Sequence, residues 1–362
     1  MFGKRLAELL SAQAEITLIL AGRRQEPLVH LQGQLQAHTR AALEHQIIDL
    51  DDPDLGAVIA ASQANIIVDT CGPFQHRDRV LPRLAIAQRA HYIDLADAVE
   101  AVAQVHELNA EALAADVLVT SGASSVPALS AAVIDAHQAQ FSQLLHIDIG
   151  IAPGNRTERG LATVRSILSG AGKPHTQFQQ GQKHTPPSWS SLCRHRYAEP
   201  VGNRWLAFCP VPDPVILPAR YPGLQTLQFR AGLELRRMHF GLWLGACLVR
   251  MRLLSSLEPW SVLARRISEI WLRAGSDSGA MHVAMQGLDH NAKPLNLHWQ
   301  LIAEQGDGPF VATAAAATLV RKLSDGSCTA RGAQPCVGLM RLEEIQATLS
   351  AKSVRFMLQD RS

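Results

Sequence analysis

The chain has 362 residues, enough for about two domains of ordinary size. Hydrophobic residues make up 47% of the sequence and the formal net charge is only +2, which together exclude an intrinsically disordered protein. No basic run concentrates the positive charge, so a nucleic-acid partner is excluded as well. The six cysteines form no CxxC pair, which favours reduced thiols in a cytoplasmic protein. The fifteen histidines form no zinc motif, so we expect no metal, although a site assembled from distant residues stays open.

Short apolar runs alternate with helical patterns through the first 140 residues. We predict strands at 16–21, 46–50, 64–69, 92–95 and 117–120. We predict helices over 2–13, 26–44, 53–62, 78–90 and 98–115, and a further one after residue 127. This alternation indicates βαβ units and therefore an α/β, doubly wound parallel sheet. Ligands of such sheets bind beyond the carboxyl ends of the strands.

Three segments at those predicted strand ends carry a family resemblance. They are DTCGPF (69–74), HYIDLAD (91–97) and SGASSVPALS (121–130). In type and order they look like the NADP-binding domain of the saccharopine dehydrogenase-like family. Three later segments, RYPG (220–223), AGLEL (231–235) and GPF (308–310), are similar to the second domain of uncharacterised members of that family.

The resemblance implies a division of the chain and a type of reaction. It implies a Rossmann domain over 1–140, an α+β domain for substrate and dimer contacts over 141–330, and a segment over 331–362 that returns toward the first domain. Better-known members of the family oxidise or reduce a carbon–nitrogen bond with a nicotinamide cofactor. A homodimer and a small-molecule substrate are therefore expected.

The sequence departs from the family at its beginning. The family opens with a strand and a GxGxxG turn, of which only Phe2-Gly3 is present here. Our first hypothesis is that the native protein carries roughly ten to fifteen more residues, which supply this strand and turn. The competing hypothesis is a truncated, inactive paralogue.

Cofactor preference is read from the end of the next predicted strand. If Gly3 is the third glycine of the fingerprint, the residue that contacts the adenosine ribose is expected about twenty positions later. Arg23 and Arg24 stand there instead of an acidic residue, and guanidinium groups suit the 2′-phosphate of NADP better than the 2′-hydroxyl of NAD. The alternative is a solvated basic pair that ends the strand.

The turn after the third predicted strand has two interpretations. Thr70, Cys71, Gly72, Pro73 and Phe74 are predicted to line the nicotinamide and pyrophosphate, because Gly72 allows close backbone approach and Pro73 stiffens the turn. An ordinary strand-to-helix turn is the alternative. Cys71 is a candidate nucleophile, but a small buried side chain is the favoured interpretation.

Two further loops supply candidates for catalysis and cofactor binding. Asp94 is a candidate general acid or base for imine chemistry, provided that burial moves its pKa toward neutrality. Asp97 is a second candidate general acid or base and a candidate cofactor contact, but we favour a structural role as the N-cap of the helix over 98–115. Ser121 and Gly122 are expected to approach the cofactor at a helix N-terminus. A serine hydrolase is rejected because Val126 stands where G-x-S-x-G needs its second glycine.

In the second half we predict strands and helices of a mixed sheet. The strands are expected at 143–152, 224–235, 280–288 and 295–304, and helices at 163–168 and 311–323. Arg220, Tyr221 and Glu234 are the candidate substrate contacts, because charged groups in an apolar region need partners. The alternative for Arg220 is an ion pair at the surface, since a guanidinium suits a carboxylate of the protein as well as of a substrate.

The most apolar segment, 238–249, is bracketed by arginines. It is too short to span a bilayer, which takes about 20 residues. Peripheral contact with a membrane surface is one interpretation, and a buried or dimer-interface helix is the favoured one.

The sequence as a whole predicts an NADP-dependent oxidoreductase acting on a small carbonyl or imine compound. The alternative is a catalytically inactive binding or membrane-surface protein that retains the Rossmann scaffold.

Overall fold

The computed structural model describes residues 1–75, 78–157 and 160–360, so the last two residues of the predicted 331–362 segment lie outside it. The first 140 residues contribute five parallel strands. These are β1 (Thr17–Gly22), β2 (Ala42–Ile47), β3 (Ile66–Asp69), β4 (His91–Asp94) and β5 (Leu118–Ser121). Seven helices accompany them: α1 (Phe2–Leu10), α2 (Gln25–Gln36), α3 (Leu55–Ser62), α4 (Val80–Ala87), α5 (Val99–Ala103), α6 (Asn109–Ala114) and α7 (Ser130–His137).

Among the described residues, these strands belong to two sheets rather than one. β1 pairs with β2 in a two-stranded sheet, with Thr17 opposite Ala42, whereas β3, β4 and β5 lie side by side in another. β1 and β3 are the facing edge strands in a Rossmann strand order, where the first strand of the fold would lie between them. Both edges pack through Leu18 and Val68 on the cluster that contains Leu6 and Leu10 of α1. The interruption therefore lies where the sequence departs from the family pattern.

Two predicted helices of this half have the wrong bounds. The helix expected over 26–44 ends at Gln36, and β2 begins at Ala42, four residues before the predicted strand at 46–50. The helix expected over 98–115 is three pieces, because a 3₁₀ turn over Val105–Leu108 separates α5 from α6.

The second half forms one large mixed sheet. Its strands are β6 (Gln143–Ala152), β7 (Gln177–Gln179), β8 (Gln182–His184), β9 (Cys193–Arg196), β10 (Asn203–Phe208), β11 (Thr226–Ala231), β12 (Gly279–Leu288) and β13 (Pro294–Ala303), joined by β15 (Val354–Asp360). Within the described residues the main strand order is β15-β13-β12-β6-β11-β10-β9. β6 and β11 are parallel, and the other pairs along this order are antiparallel. The helices are α8 (Leu161–Gly170), α9 (Asp213–Ile216), α10 (Arg236–Arg250), α11 (Ser261–Ile270), α12 (Gly308–Ser324) and α13 (Leu342–Thr348).

The largest core lies between the large sheet and helices α7 and α12. Alternate residues of β6 and β12, such as Ile147, Ile149 and Val283, point to this side because side chains of a strand alternate between faces. The alanines at 314–317 keep α12 thin, so it packs closely on the sheet. Because α7 belongs to the first half and α12 to the second, both halves share this core.

The C-terminal segment contributes to both sheets. β14 (Gly332–Pro335) runs parallel to β5 and extends the sheet of the first half, whereas β15 pairs with β13 in the large sheet. Local sequence pattern gave no strand at either place. No helix in the described ranges has the length and hydropathy to cross a membrane.

Candidate cofactor and active-site cleft

The carboxyl ends of β3, β4 and β5 meet at one edge, because these strands are parallel. The segments read from the sequence as cofactor-binding follow those ends directly. Gly3 joins them from α1: a Cβ on Gly3 would lie 2.8 Å from Oγ1 of Thr70, so only glycine lets the first turn of α1 approach this closely. The structure thus brings Gly3, the 70–74 turn, Asp94 and the Ser121-Gly122 turn together.

Asp94 organises the edge. Its Oδ1 accepts hydrogen bonds from the Ser121 hydroxyl at 2.7 Å and from the backbone N–H groups of Ala96 at 2.9 Å and Gly122 at 3.0 Å. Burial raises the pKa of Asp94 to about 6, although these hydrogen bonds act to lower it. The Ser121 hydroxyl and the Gly122 N–H are therefore both used in hydrogen bonds to Asp94. These two residues would contribute to a cofactor site by the shape of their turn and not by donating these hydrogen bonds to the cofactor.

A second buried carboxylate, Asp69, was missed by sequence reasoning. It ends β3 opposite Asp94 on β4, and its negative charge contributes to the raised pKa of Asp94. The backbone N–H of Cys71 donates to its Oδ1 at 2.8 Å and the Tyr92 hydroxyl to its Oδ2 at 3.3 Å. The available signal was its place as the first residue of DTCGPF, which fixes the start of that turn.

A crevice of about 260 Å³ opens beside these carboxylates. Asp69, Phe74, Tyr92, Asp94 and Ser121 line it. On the other side it is closed by α4 and α5. A small polar molecule entering it would meet two acidic groups from neighbouring strands.

The exposure of Cys71 contradicts the favoured interpretation of this residue. The favoured interpretation was a small buried side chain, but Cys71 is exposed. It follows the strand end, where the turn through Gly72 and Pro73 carries the chain away from the sheet, and both of these residues are exposed as well. None of the six cysteines, all of which lie in the described ranges, forms a disulfide.

The favoured role of Asp97 as a helix N-cap is also wrong. It is not the N-cap of a helix: α5 begins at Val99 with Ala98 in the N-cap position, since the preceding turn is held by the bond from Ala96 to Asp94. The Asp97 side chain is solvent-accessible but densely surrounded by protein, and this partial desolvation raises its pKa. Burial and the negative charge of Asp97 raise the pKa of Cys209, in the second half, to about 12. Asp97 therefore lies near Cys209 of the second half.

Two hydrogen bonds connect the same edge to the second half. Gln75, at the end of the 70–75 turn, donates to Oγ of Ser166 on α8 at 2.7 Å. Ser130, at the end of SGASSVPALS, donates to Oδ1 of Asp213 at 2.5 Å. This edge of the first half thus contacts the second half directly.

Arg23 and Arg24 lie at the end of β1. Both are exposed, Arg24 occupies the N-cap position of α2, and neither forms an ion pair with another described residue. They are therefore available to an anionic ligand.

The three candidate substrate residues do not form one site. Arg220 binds Asp135 through two hydrogen bonds of 3.1 and 2.7 Å, and the Tyr221 hydroxyl donates to the same carboxylate at 2.9 Å. This group borders a groove of about 620 Å³ next to residues 338–343. Glu234 lies elsewhere, paired with Arg204 at 3.2 Å and with Ser276. The protein's own groups thus satisfy all three.

A histidine cluster on the large sheet was also missed, because its members are distant in sequence. His195 stacks on His282 with ring centroids 3.8 Å apart and lies 5.2 Å from His298. His282 contacts the Tyr197 hydroxyl at 2.9 Å and Oδ2 of Asp148 at 3.2 Å. Burial acts to raise the pKa of Asp148, but the hydrogen bond and charge of His282 hold it below its ordinary value. Across the described ranges, no three His, Cys, Asp or Glu side chains could hold a metal ion together.

Comparison with known proteins supports the fold. No protein-family description and no curated protein matches the sequence. The apo saccharopine dehydrogenase (L-Glu forming) from Saccharomyces cerevisiae matches over 100% of this chain and 98% of its own, with a TM-score of 0.68 and 12% identity. An amine dehydrogenase from Mycobacterium smegmatis matches over 94% of both chains with a TM-score of 0.44 and 9% identity. The first likeness confirms, at the level of the fold, the resemblance read from the sequence: a Rossmann-type α/β fold.

Proposed function

We propose that the protein is an NADP-dependent oxidoreductase that passes hydride between nicotinamide and a small carbonyl or imine compound. The observation that carries this proposal is the convergence of Gly3, the 70–74 turn and the Ser121-Gly122 turn at one edge of a parallel sheet. In open α/β sheets, that edge is where dinucleotides bind. The carbon–nitrogen chemistry comes from the family resemblance of the sequence.

The residues at this edge fit a dinucleotide. The N-terminus of α1 reaches Thr70 because Gly3 has no side chain, which places backbone N–H groups of a helix start beside the strand ends. Gly72 and Pro73 present an exposed backbone surface next to it. Arg23 and Arg24, free of ion pairs with described residues, would hold a 2′-phosphate.

Two residues remain our candidates for the reaction. When bound, nicotinamide supplies or accepts the hydride. With a pKa of about 6, Asp94 exchanges a proton near neutral pH, and Oδ2 is the oxygen that would carry it, since three donors converge on Oδ1. Cys71 presents an exposed thiol at the adjoining turn. Asp97 remains a candidate cofactor contact.

The main alternative is a scaffold that has lost catalysis. It would be a catalytically inactive binding or membrane-surface protein that retains the Rossmann scaffold. A homodimer, implied by the resemblance, is compatible with either function and is measured by analytical ultracentrifugation.

Thermal unfolding in the presence of NADP or NAD tests the proposal. A ligand at 100 times its dissociation constant should stabilise the protein by about 2.7 kcal/mol. We expect this shift with NADP and a smaller one with NAD at equal concentration. No shift with either cofactor would favour the inactive scaffold, and a shift with NAD alone would contradict the assignment of the arginines.

The variants R23A and R24A test the phosphate contact. Each removes a charge-assisted hydrogen bond worth about 1.5–3 kcal/mol, so NADP should bind roughly ten to one hundred times more weakly while NAD binding stays unchanged. Fluorescence titration with both cofactors measures this difference. R40A is the matched control, because Arg40 is also exposed and lies just before β2. Equal losses in R40A would mean a general charge effect.

A further inference from the structure

Exposed apolar side chains concentrate on one part of the second half. Of the fifteen large hydrophobic residues exposed in the described ranges, ten lie between Leu244 and Leu272. Helix α11 and its flanks carry most of them. At helical spacing, one face presents what we call the apolar strip: Trp260, Leu263, Ile267, Ile270 and Trp271.

The orientation of α11 is the reverse of that expected for a surface helix. Its buried residues are Ser261 and Ser268, whereas Leu263, Ile267 and Ile270 are 50%, 44% and 77% exposed. The Ser268 hydroxyl donates to the Arg265 carbonyl of the same helix at 2.7 Å. A hydrogen bond from Ser268 to the protein interior therefore does not explain why this face is buried. The apolar strip therefore faces outward and is available to a partner.

The chain segment that contains the apolar strip is strongly basic. Residues 236–273 contain seven arginines and two glutamates, a net charge of +5, whereas the whole chain carries only +2. Arg265 pairs with Glu269 at 3.3 Å, and the Arg237 guanidinium lies 3.3 Å from the centre of the Trp271 ring. The other five form no ion pair with a described residue: Arg236, Arg250, Arg252, Arg266 and Arg273.

We propose that α11 docks this protein onto an anionic lipid surface, with the apolar strip entering the interfacial region and the arginines contacting lipid phosphates. Aliphatic side chains, interfacial tryptophans and flanking arginines are the three elements that such contact requires. The surface lies on α11 rather than on the 238–249 segment singled out in the sequence, since α10 buries His239, Ala246 and Val249 and exposes fewer apolar side chains.

Charge favours lipid over a second copy of the chain. A symmetric pair joined through α11 would bring two copies of this basic segment, each of net charge +5, into one assembly, and like charges at an interface oppose association. An anionic bilayer supplies the opposite charge. The proposal also does not depend on the proposed oxidoreductase function, because none of its residues belongs to the cofactor edge.

Vesicle co-sedimentation of the full chain tests the proposal. We expect binding to phosphatidylcholine vesicles with 30% phosphatidylserine, about tenfold weaker binding to phosphatidylcholine alone, and weaker binding in high salt. I267E/I270E should abolish binding. V29E/L113E is the matched control, since Val29 and Leu113 are 47% and 53% exposed on other helices, and it should bind like the unmodified chain. NADP titration and thermal unfolding, which should be unchanged in both variants, report folding separately.

Three results would overturn the proposal. They are absence of binding to the anionic vesicles, binding that survives I267E/I270E, and equal loss in V29E/L113E. A dimer that I267E/I270E converts to a monomer, with no vesicle binding, would show that the strip is a subunit interface and would also overturn it. If I267E/I270E fails to fold, R266Q/R273Q serves instead. That variant should lower anionic-vesicle binding by about tenfold, and unchanged binding would contradict the proposal.

Discussion

Replacing Gly122 by alanine is expected to destabilise the protein by about 3 kcal/mol, through backbone strain together with a steric clash. Gly122 has a φ of +87°, and a Cβ there would lie 2.6 Å from Cδ of Pro127 and 3.3 Å from Cγ2 of Val102. Its N–H also donates to Asp94, so a shifted turn breaks that bond. Urea unfolding measures the free energy, and NADP titration should show weaker binding if the proposed function is correct, because the turn lies at the proposed cofactor edge.

Gly223→Ala separates the two causes. Gly223 has nearly the same φ, +84°, but no atom lies within 4 Å of the position of its Cβ. It therefore reports backbone strain alone, which costs about 1 kcal/mol. Equal free-energy changes for the two variants would show that Pro127 and Val102 move aside at little cost, and the assignment of a tightly packed turn would fail.

The long strands of the second half are the elements that sequence pattern predicts best. β6, β12 and β13 lie within one residue of their predicted bounds. Each has ten residues of alternation with one face on the core, and a shift by one residue would move every apolar side chain to the wrong face. Short strands flanked by polar helices lack this constraint, which is why β2 begins four residues before the predicted start at 46.

Pairings between distant segments have no local signal. β14 joins β5 across more than two hundred residues, and β15 joins β13 although its residues alternate only weakly. The break in the helix expected over 98–115 has the same origin, since α6 and the 3₁₀ turn before it pack on β14. Propensity along the chain favoured one helix, and a tertiary contact decided otherwise.

Sequence pattern singled out the glycines and turns of the candidate site and one of its buried acids, Asp94, but neither Asp69 nor Asp213. Gly3 and Gly122 mark places where the chain comes close to another group, Thr70 and Pro127 respectively, and sequence shows such residues directly. Asp69 and Asp213 act through burial, which depends on segments far away in the sequence. The signal available for Asp213 was an acidic residue between two prolines, in VPDP.

Asp213 should make the protein less stable as the pH rises toward neutrality. It is fully buried, the Ser130 hydroxyl donates to its Oδ1, and no described residue hydrogen-bonds to its Oδ2. Burial raises its pKa to about 7, against hydrogen bonds from Ser130 and its own backbone that act to lower it. The folded state thus retains a proton that the unfolded state, with a pKa of about 3.9, has already lost. This protonation stabilises the folded state fully at pH values below the unfolded pKa. The contribution is lost as the pH rises from there through about 7.

The variant D213N removes this dependence, because an amide does not ionise. Between pH 5 and pH 7 the folded state binds about one proton more than the unfolded state. Over these two pH units the difference lowers the free energy of unfolding by about 3 kcal/mol, and the contribution is then constant to pH 8. Relative to the unmodified chain, D213N should therefore gain about 3 kcal/mol of stability between pH 5 and pH 8. Urea unfolding at both pH values measures the difference, with D51N at an exposed position as the control. A constant difference at the two pH values would mean that the buried carboxyl does not change its protonation there, and that the Ser130–Asp213 contact between the two halves is insensitive to pH.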